Sequence, residues 1–337
     1  MRKLSTPQLI AGKEVKLWPF RAALVLFMVM LTSLAFSQIN YTRTTFTSAY
    51  TPITVGGGAT LISTGTTLGT FSTTGGVASG TEGAAHLPMP FNFNYNGTLF
   101  TGGVDFVGIC TNGYIYPVLA ATGATNAGKI ISAVNTNLFT ITTPNNTIAP
   151  YWDDLTIGTA INGNTGSVLV QTTGTAGSQV MTIQFTDVPA FSSVGAAPSS
   201  GPKALNFQVK LYEGTNVIEF VYGPVVNGTT GNTYNLSESA SIGIEGSAGG
   251  NNNYIDAVTG SKTANFSMMS SNKYPSLLNF RFTPGAPTAV AAGTYSVGVG
   301  QTYPSLSEAV ADLNHRGISG AVSLDLVDAV YYSTVAG

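Results

Sequence analysis

The stretch from Asn206 to Gly223 constrains this chain more than any other. Phe207, Val209 and Leu211 fall on one side of an extended backbone and Gln208, Lys210 and Tyr212 on the other. A turn at Glu213–Asn216 follows, after which Ile218, Phe220 and Tyr222 alternate with Val217, Glu219 and Val221. A period of two belongs to a strand buried on one face only. A slip of one residue would carry Lys210 and Glu219 into the core, so the pattern fixes register as well as fold class. The period recurs where Met181, Ile183 and Phe185 alternate with Thr182, Gln184 and Thr186, and where Ala240, Ile242 and Ile244 share a face. In Leu278–Thr283 the same rule sends Leu278, Phe280 and Phe282 inward and Asn279 and Arg281 outward. Asn96-Gly97 follows Phe91, Phe93 and Tyr95, and Asn112-Gly113 joins Val104–Thr111 to Tyr114–Val118. Such pairs supply the positive φ angles of a type I′ hairpin turn. The expected fold is all-β, an antiparallel sandwich of jelly-roll or immunoglobulin-like type.

Composition agrees with many short strands. Of 337 residues 43% are hydrophobic and only 8% charged, with 40 Gly and 16 Pro, against roughly a quarter charged in ordinary domains. Residues 1–37 read as a signal peptide: Arg2, Lys3, Lys13, Lys16 and Arg21 precede the apolar run Ala22–Phe36, and Ala35-Phe36-Ser37 offers small residues for cleavage before Gln38. That run is shorter than the roughly 20 apolar residues of a spanning helix, so no transmembrane segment is expected in the mature chain. Without the leader 8 basic residues face 14 acidic ones, a net charge of −6, which leaves no basic patch for nucleic acid. Cys110 is the only cysteine, so packing rather than an internal disulfide must hold the fold.

The sandwich is expected over residues 38–284. From Gln38 to Gly83 it reads as short, half-exposed strands with loose connections. Pro284-Gly-Ala-Pro287 breaks strand pairing, residues 285–293 read as a linker, and residues 294–337 change character. There Ser305 and Glu308 form a capping box, and Leu306, Ala309, Val310 and Leu313 recur at helical spacing before Gly317. Val322, Leu324 and Leu326 then alternate as a strand, followed by Tyr331-Tyr332.

LPMPFNFNYNGTLF (Leu87–Phe100), TNGYI (Thr111–Ile115), IAPYWDDL (Ile148–Leu155), MTIQF (Met181–Phe185), the Asn206–Gly223 hairpin and SASIGIEG (Ser239–Gly246) stand in an order that resembles a β-sandwich module of large exported bacterial surface proteins. The resemblance covers roughly Gln38 to Pro284 and implies a secreted or cell-surface, adhesin-like module reaching the outside by type IX secretion, with no catalytic residues to carry over. Tyr303–Tyr332 resembles the N-terminal cap of a right-handed, pectin-lyase-like β-helix. Several stacked coils are needed to bury such a core, so the sequence reads as a fragment whose β-helix is truncated.

Candidate chemistry concentrates in IAPYWDDL. Asp153 and Asp154, with Asn145 and Asn146 upstream, offer oxygen ligands to Ca²⁺, which takes 6 to 8 of them; the alternative is that one Asp bonds turn amides while Tyr151 and Trp152 pack beneath. Adjacent residues of a strand point to opposite faces, so these carboxylates are a poor glycosidase pair, which must flank one bond. Tyr151 and Trp152, together with Tyr212, are candidates to stack on a sugar ring, with core packing as the alternative. His86 and His315 fall in separate segments, which supports neither a zinc cage nor a serine triad. There is no G-x-S-x-G elbow, no P-loop and no dinucleotide fingerprint. The expectation is a non-catalytic extracellular module with no cofactor other than Ca²⁺, whose ligand is a surface glycan or protein. The alternative is an accessory, carbohydrate-binding domain of a polysaccharide-processing β-helix enzyme.

Overall fold

The computed structural model describes residues 39–63, 69–72, 82–123, 129–132, 145–158, 165–189, 203–227, 240–247, 253–262, 274–275, 278–285, 290–298, 301–303, 306, 309–310, 313 and 318–328. The leader, Ser305, Glu308, His315, Gly317 and Tyr331-Tyr332 lie outside the described residues.

Two antiparallel sheets face each other. The first has the order β1 (Tyr41–Phe46), β16 (Asn279–Pro284), β12 (Ile218–Tyr222), β11 (Lys203–Tyr212), β10 (Val180–Pro189), β9 (Ser167–Thr173), β2 (Thr60–Leu61), with β13 (Val226–Asn227) also paired to β11. The second runs β15 (Tyr254–Asp256), β14 (Ser241–Glu245), β8 (Ile148–Trp152), β7 (Tyr114–Val118), β6 (Phe106–Cys110), β3 (Ala84–Pro88). A small hairpin, β4 (Phe93–Tyr95) with β5 (Thr98–Phe100), completes the sandwich. The register follows the alternation: Leu211 lies opposite Ile218 and Met181, and Val209 opposite Phe220 and Ile183. Those side chains meet Val107, Ile109, Ile115, Ile148, Ile242 and Ile244 of the second sheet in one buried core. Leu211→Ala is therefore expected to cost about 2 to 5 kcal/mol and Lys210→Ala no more than about 0.5. Denaturant midpoints in the reverse order would show the register to be wrong.

Three local expectations are corrected. Asn96 and Gly97 have φ of 50° and 89° between the paired Tyr95 and Thr98, the two-residue turn that their sequence dictates. Asn112-Gly113 does not repeat it: Cys110 pairs with Tyr114, so three residues make the turn and only Gly113, at φ 81°, is left-handed. Leu278 stands just before β16 begins and is 41% exposed, whereas Phe280 and Phe282 are buried as expected. Glu219 and Asn279, read as outward, are on the outer face but buried there.

The cause of that burial is topological. β1 and β2 are the opposite edges of the first sheet, so the chain between them must cross its outer face. Amide side chains on four of its strands hold the crossing backbone. Asn279 Nδ2 donates to Ser48 O (3.3 Å), Gln208 Nε2 to Thr51 O (2.8 Å), Gln184 Nε2 to Ile53 O (3.1 Å), and Gln171 Nε2 to Gly57 O (2.6 Å). Gln184 Oε1 also receives the Ile53 amide at 2.8 Å. A crossing segment has no strand beside it to satisfy its backbone, and these amides take that role. Glu219 is closed over by Arg281, whose guanidinium reaches its carboxylate at 2.6 Å while lying 4.9 Å from the Phe46 ring centre.

Beyond β16, β17 (Gly293–Val297) and β18 (Val322–Leu326) pair in parallel, Tyr295 opposite Leu324. Leu306, Ala309, Val310 and Leu313 are helical between them. Of that apolar face Ala309 is buried with Val297 and Tyr303, while Leu306 and Val310 are exposed.

Candidate functional site

IAPYWDDL forms β8 and the rim that follows it. Pro150 has no N–H to give a ladder, and the β8–β14 pairing is irregular between Ser241 and Gly243, where it would have been needed. Beyond Pro150 the chain presents Tyr151 to one side and Trp152 to the other. Tyr151 enters the core between the sheets, its ring centre 6.0 Å from Phe207 and 5.8 Å from Tyr274. Trp152 enters a second cluster on the outer face of the second sheet, with Phe106, Cys110, Tyr114, Tyr116 and Tyr254. Tyr151 is 2% exposed and Trp152 fully buried, so neither ring offers a face to a sugar, and packing is the role that the structure gives them.

Asn112 organises the rim. Its Nδ2 donates to Glu82 Oε2 at 2.8 Å, its Oδ1 receives the Leu155 amide at 3.1 Å, and its carbonyl receives the Asp153 amide at 3.2 Å. Asp153 is buried, and its Oδ1 accepts from the Asp154 amide at 2.9 Å. The bonding of a turn amide foreseen for one of these aspartates is thus Asp153's. Asp154 is partly buried, and that burial holds its carboxyl above the usual range. Glu82 is also raised, by burial first, against the Asn112 hydrogen bond and with the charge of Asp154 adding to the shift. Asn145 and Asn146 do not join this group. They precede β8 and the aspartates follow it, which at about 3.3 Å per strand residue puts them more than about 20 Å apart along the strand. The oxygen set proposed for Ca²⁺ is therefore split between the two ends of β8. Among the described residues no group of three or more His, Cys, Asp or Glu side chains could hold a metal ion.

The sequence reading missed the segment that roofs the outer aromatic cluster. Lys129–Ser132 has no strand or helix of its own and is held by side chains of the sheet below it. Tyr116 Oη receives the Ile130 amide at 2.8 Å, Tyr114 Oη donates to Ile130 O at 3.1 Å, and Trp152 Nε1 donates to Ser132 O at 3.1 Å. Lys129 Nζ donates to Thr70 O at 3.0 Å and to Ser72 Oγ at 2.6 Å. Burial pushes that amine down to about 8. Serine beside lysine is a nucleophile–base combination, but Ser72 is fully buried and Lys129 nearly so, and the amine's protons go to anchoring the segment. His86 lies beneath, fully buried, with Nε2 3.1 Å from Tyr116 Oη. Cys110 is buried, and burial pushes its thiol up, away from reactivity. Only the single lysine in an otherwise uncharged run hinted at this arrangement.

No helix among the described residues is long and apolar enough to cross a membrane. No curated protein and no solved structure matches the chain. A family model described as NIDO related matches residues 40–291, from the residue before β1 to just past β16, which is the whole sandwich. By that match, which spans most of its length, the chain belongs to the NIDO-related family.

Proposed function

We propose that the protein is a non-catalytic extracellular module, the folded head of a larger secreted or surface-attached adhesin-like protein that binds a surface glycan or protein. The observation that carries this reading is the use to which the reactive side chains are put. Asp153, His86, Lys129, Ser72 and Glu219 are buried, and the hydrogen bonds above join each of them to the protein's own rim, roof or sheet. Family membership and the charge and apolar core of the leader support an extracellular setting. The resemblance of the ordered motifs supports export by the type IX route, and Ca²⁺ at Asp153 and Asp154 is part of the same proposal.

The parallel pairing of β17 with β18 favours a second reading, in which the sandwich is the carbohydrate-binding accessory domain of a polysaccharide-processing β-helix enzyme. Parallel pairs are built to be extended and covered on both faces. A glycan array combined with reducing-sugar and unsaturated-product assays on the full-length gene product separates the two. Binding without turnover is the expected result; turnover would sink the non-catalytic reading.

A further inference from the structure

Of the three aromatic side chains that the sequence offers to a sugar, Tyr151 and Trp152 are buried and Tyr212 is not. It stands half-buried on the outer face of the first sheet, where its Oη donates to Glu219 Oε2 at 2.6 Å. The crossing segment covers part of that face, over Asn279, Gln208 and Gln184. Beside it runs a second row, aligned by register across five strands: Thr44 on β1 lies opposite Arg281 on β16, Arg281 opposite Glu219 on β12, Glu219 opposite Lys210 on β11, and Lys210 opposite Thr182 on β10. At ordinary strand spacing this shelf is about 19 Å long, with the crossing segment along one side. Its charges differ in access. Arg281 donates from Nε and Nη2 to the same Glu219 oxygen, both at 2.6 Å, while its guanidinium lies over Phe46. Neither bond uses Nη1, so a donor is held in place at the surface: the Arg281 side chain is 46% exposed and that of Glu219 5%. Lys210, half-buried, takes no part in these bonds. Glu213, at the end of the hairpin, accepts from the amides of Gly177 and Gln179 at 2.8 and 2.9 Å. On a chain with more acidic than basic residues, this face turns its cations outward and keeps its anions occupied.

We propose that this shelf is the glycan site of the module, an inference that rests on reading the protein as a binder of surface ligands, and that it takes a polysaccharide bearing carboxylates, which meet Arg281 Nη1 and Lys210 as a sugar ring lies against Tyr212. The two cations stand on strands two apart, about 10 Å from backbone to backbone, a span that a chain of sugars bridges and a single carboxylate does not. Arg281 is already fixed by Glu219 and Phe46, so little side-chain freedom is lost when a ligand arrives. A protein partner fits this surface less well. The centre of a protein interface is depleted of charge and rich in large apolar side chains, and the row carries charges at its middle and no exposed large apolar residue. Nucleic acid needs many Lys and Arg to replace its counterions, and the row has two. A hydroxyl-rich polymer of moderate negative charge is the ligand class that matches.

Alginate, hyaluronan and neutral dextran, each immobilised and exposed to the full-length protein in biolayer interferometry, test the shelf. Binding to at least one of the two carboxylated polymers, weakened by added salt, and none to dextran is the expected result. Lys210→Ala, a change that the fold tolerates, should weaken that binding about tenfold, the worth of one hydrogen bond to a charged group. Lys210→Arg should retain it. Thr44→Glu, which puts an acid at the exposed end of the row beside Arg281, should weaken it as well. Equal binding to dextran, binding to none of the three polymers, or undiminished affinity in Lys210→Ala would overturn the shelf. None of these results touches the reading of the module as non-catalytic, which falls on turnover instead.

Discussion

Gly113→Ala should cost the sandwich about 3 to 5 kcal/mol, among the largest effects of any single methyl group. Two terms add. Gly113 sits at φ 81°, where an L side chain is strained, and a Cβ there would lie 2.1 Å from Tyr151 O and 2.7 Å from Leu155 Cδ1. The first contact is with backbone, and relieving it means pushing β8 away from the β6–β7 turn. That would strain the bonds by which this turn holds the rim, Asp153 N to Asn112 O at 3.2 Å and Tyr151 N to Gly113 O at 3.4 Å. Gly97→Ala is the control. Its φ is 89°, nearly the same, but nothing lies within 4 Å of the added carbon, so only the backbone term of about 1 kcal/mol should appear. Urea unfolding of the two variants measures the difference; equal losses would mean that the turn does not press on β8.

The parts of the fold that were legible in the sequence are those decided by neighbours along the chain. Strand alternation placed Phe207, Val209 and Leu211 inward, and Asn96-Gly97 specified its turn, because a period of two and a pair of positive φ angles are local properties. Asn112-Gly113 misled because turn length is set by where pairing resumes, here Cys110 with Tyr114, and that depends on β8 lying against the turn. Alternation also predicted the face of Gln184, Gln208, Glu219 and Asn279 correctly but not their burial. That burial follows from β1 and β2 being at opposite edges of one sheet, a fact about residues far apart in sequence.

The candidate site was legible to a smaller degree. IAPYWDDL was singled out for its chemistry, and the packing of Tyr151 and Trp152 and the turn bond of Asp153 were among the readings weighed for it. The sequence could not separate them from a sugar platform or a cation site, because adjacent residues on a strand divide between two environments. Tyr151 meets Phe207 across the two sheets and Trp152 meets Tyr114 on the neighbouring strand, contacts between residues far apart in sequence. Glu82, His86 and Lys129 carried no spacing signal. Pairing across β3, β6 and β7 brings Glu82 and His86 to Asn112 and Tyr116, and Lys129 reaches Ser72 from a segment outside any strand.

Glu245→Gln should stabilise the protein at neutral pH and above, by about 3 kcal/mol at pH 7, an unusual direction for a change at a buried site. Glu245 pairs with Tyr254 on the neighbouring β15, its backbone N–H donates to Thr147 O at 2.8 Å, and its carbonyl receives Tyr95 Oη at 2.6 Å. The side chain is 2% exposed, and burial pushes its carboxyl up to about 9, against a hydrogen bond with Thr147 that works the other way. The folded protein thus holds a neutral acid where the unfolded chain ionises in the ordinary carboxylate range. Below that range both states are protonated and folding pays no ionisation penalty. As pH rises the unfolded state is stabilised by its charge, so stability falls steadily until the folded carboxyl ionises near 9 and then levels off. Glutamine keeps the shape and cannot ionise. Parent and variant should therefore have similar urea midpoints at pH 4, diverge through pH 7 and differ most at pH 9. Taking the difference between the two proteins cancels the titrations of Lys129, Glu82 and Asp154, which both share. A constant difference across that range would show that Glu245 is already ionised in the folded protein.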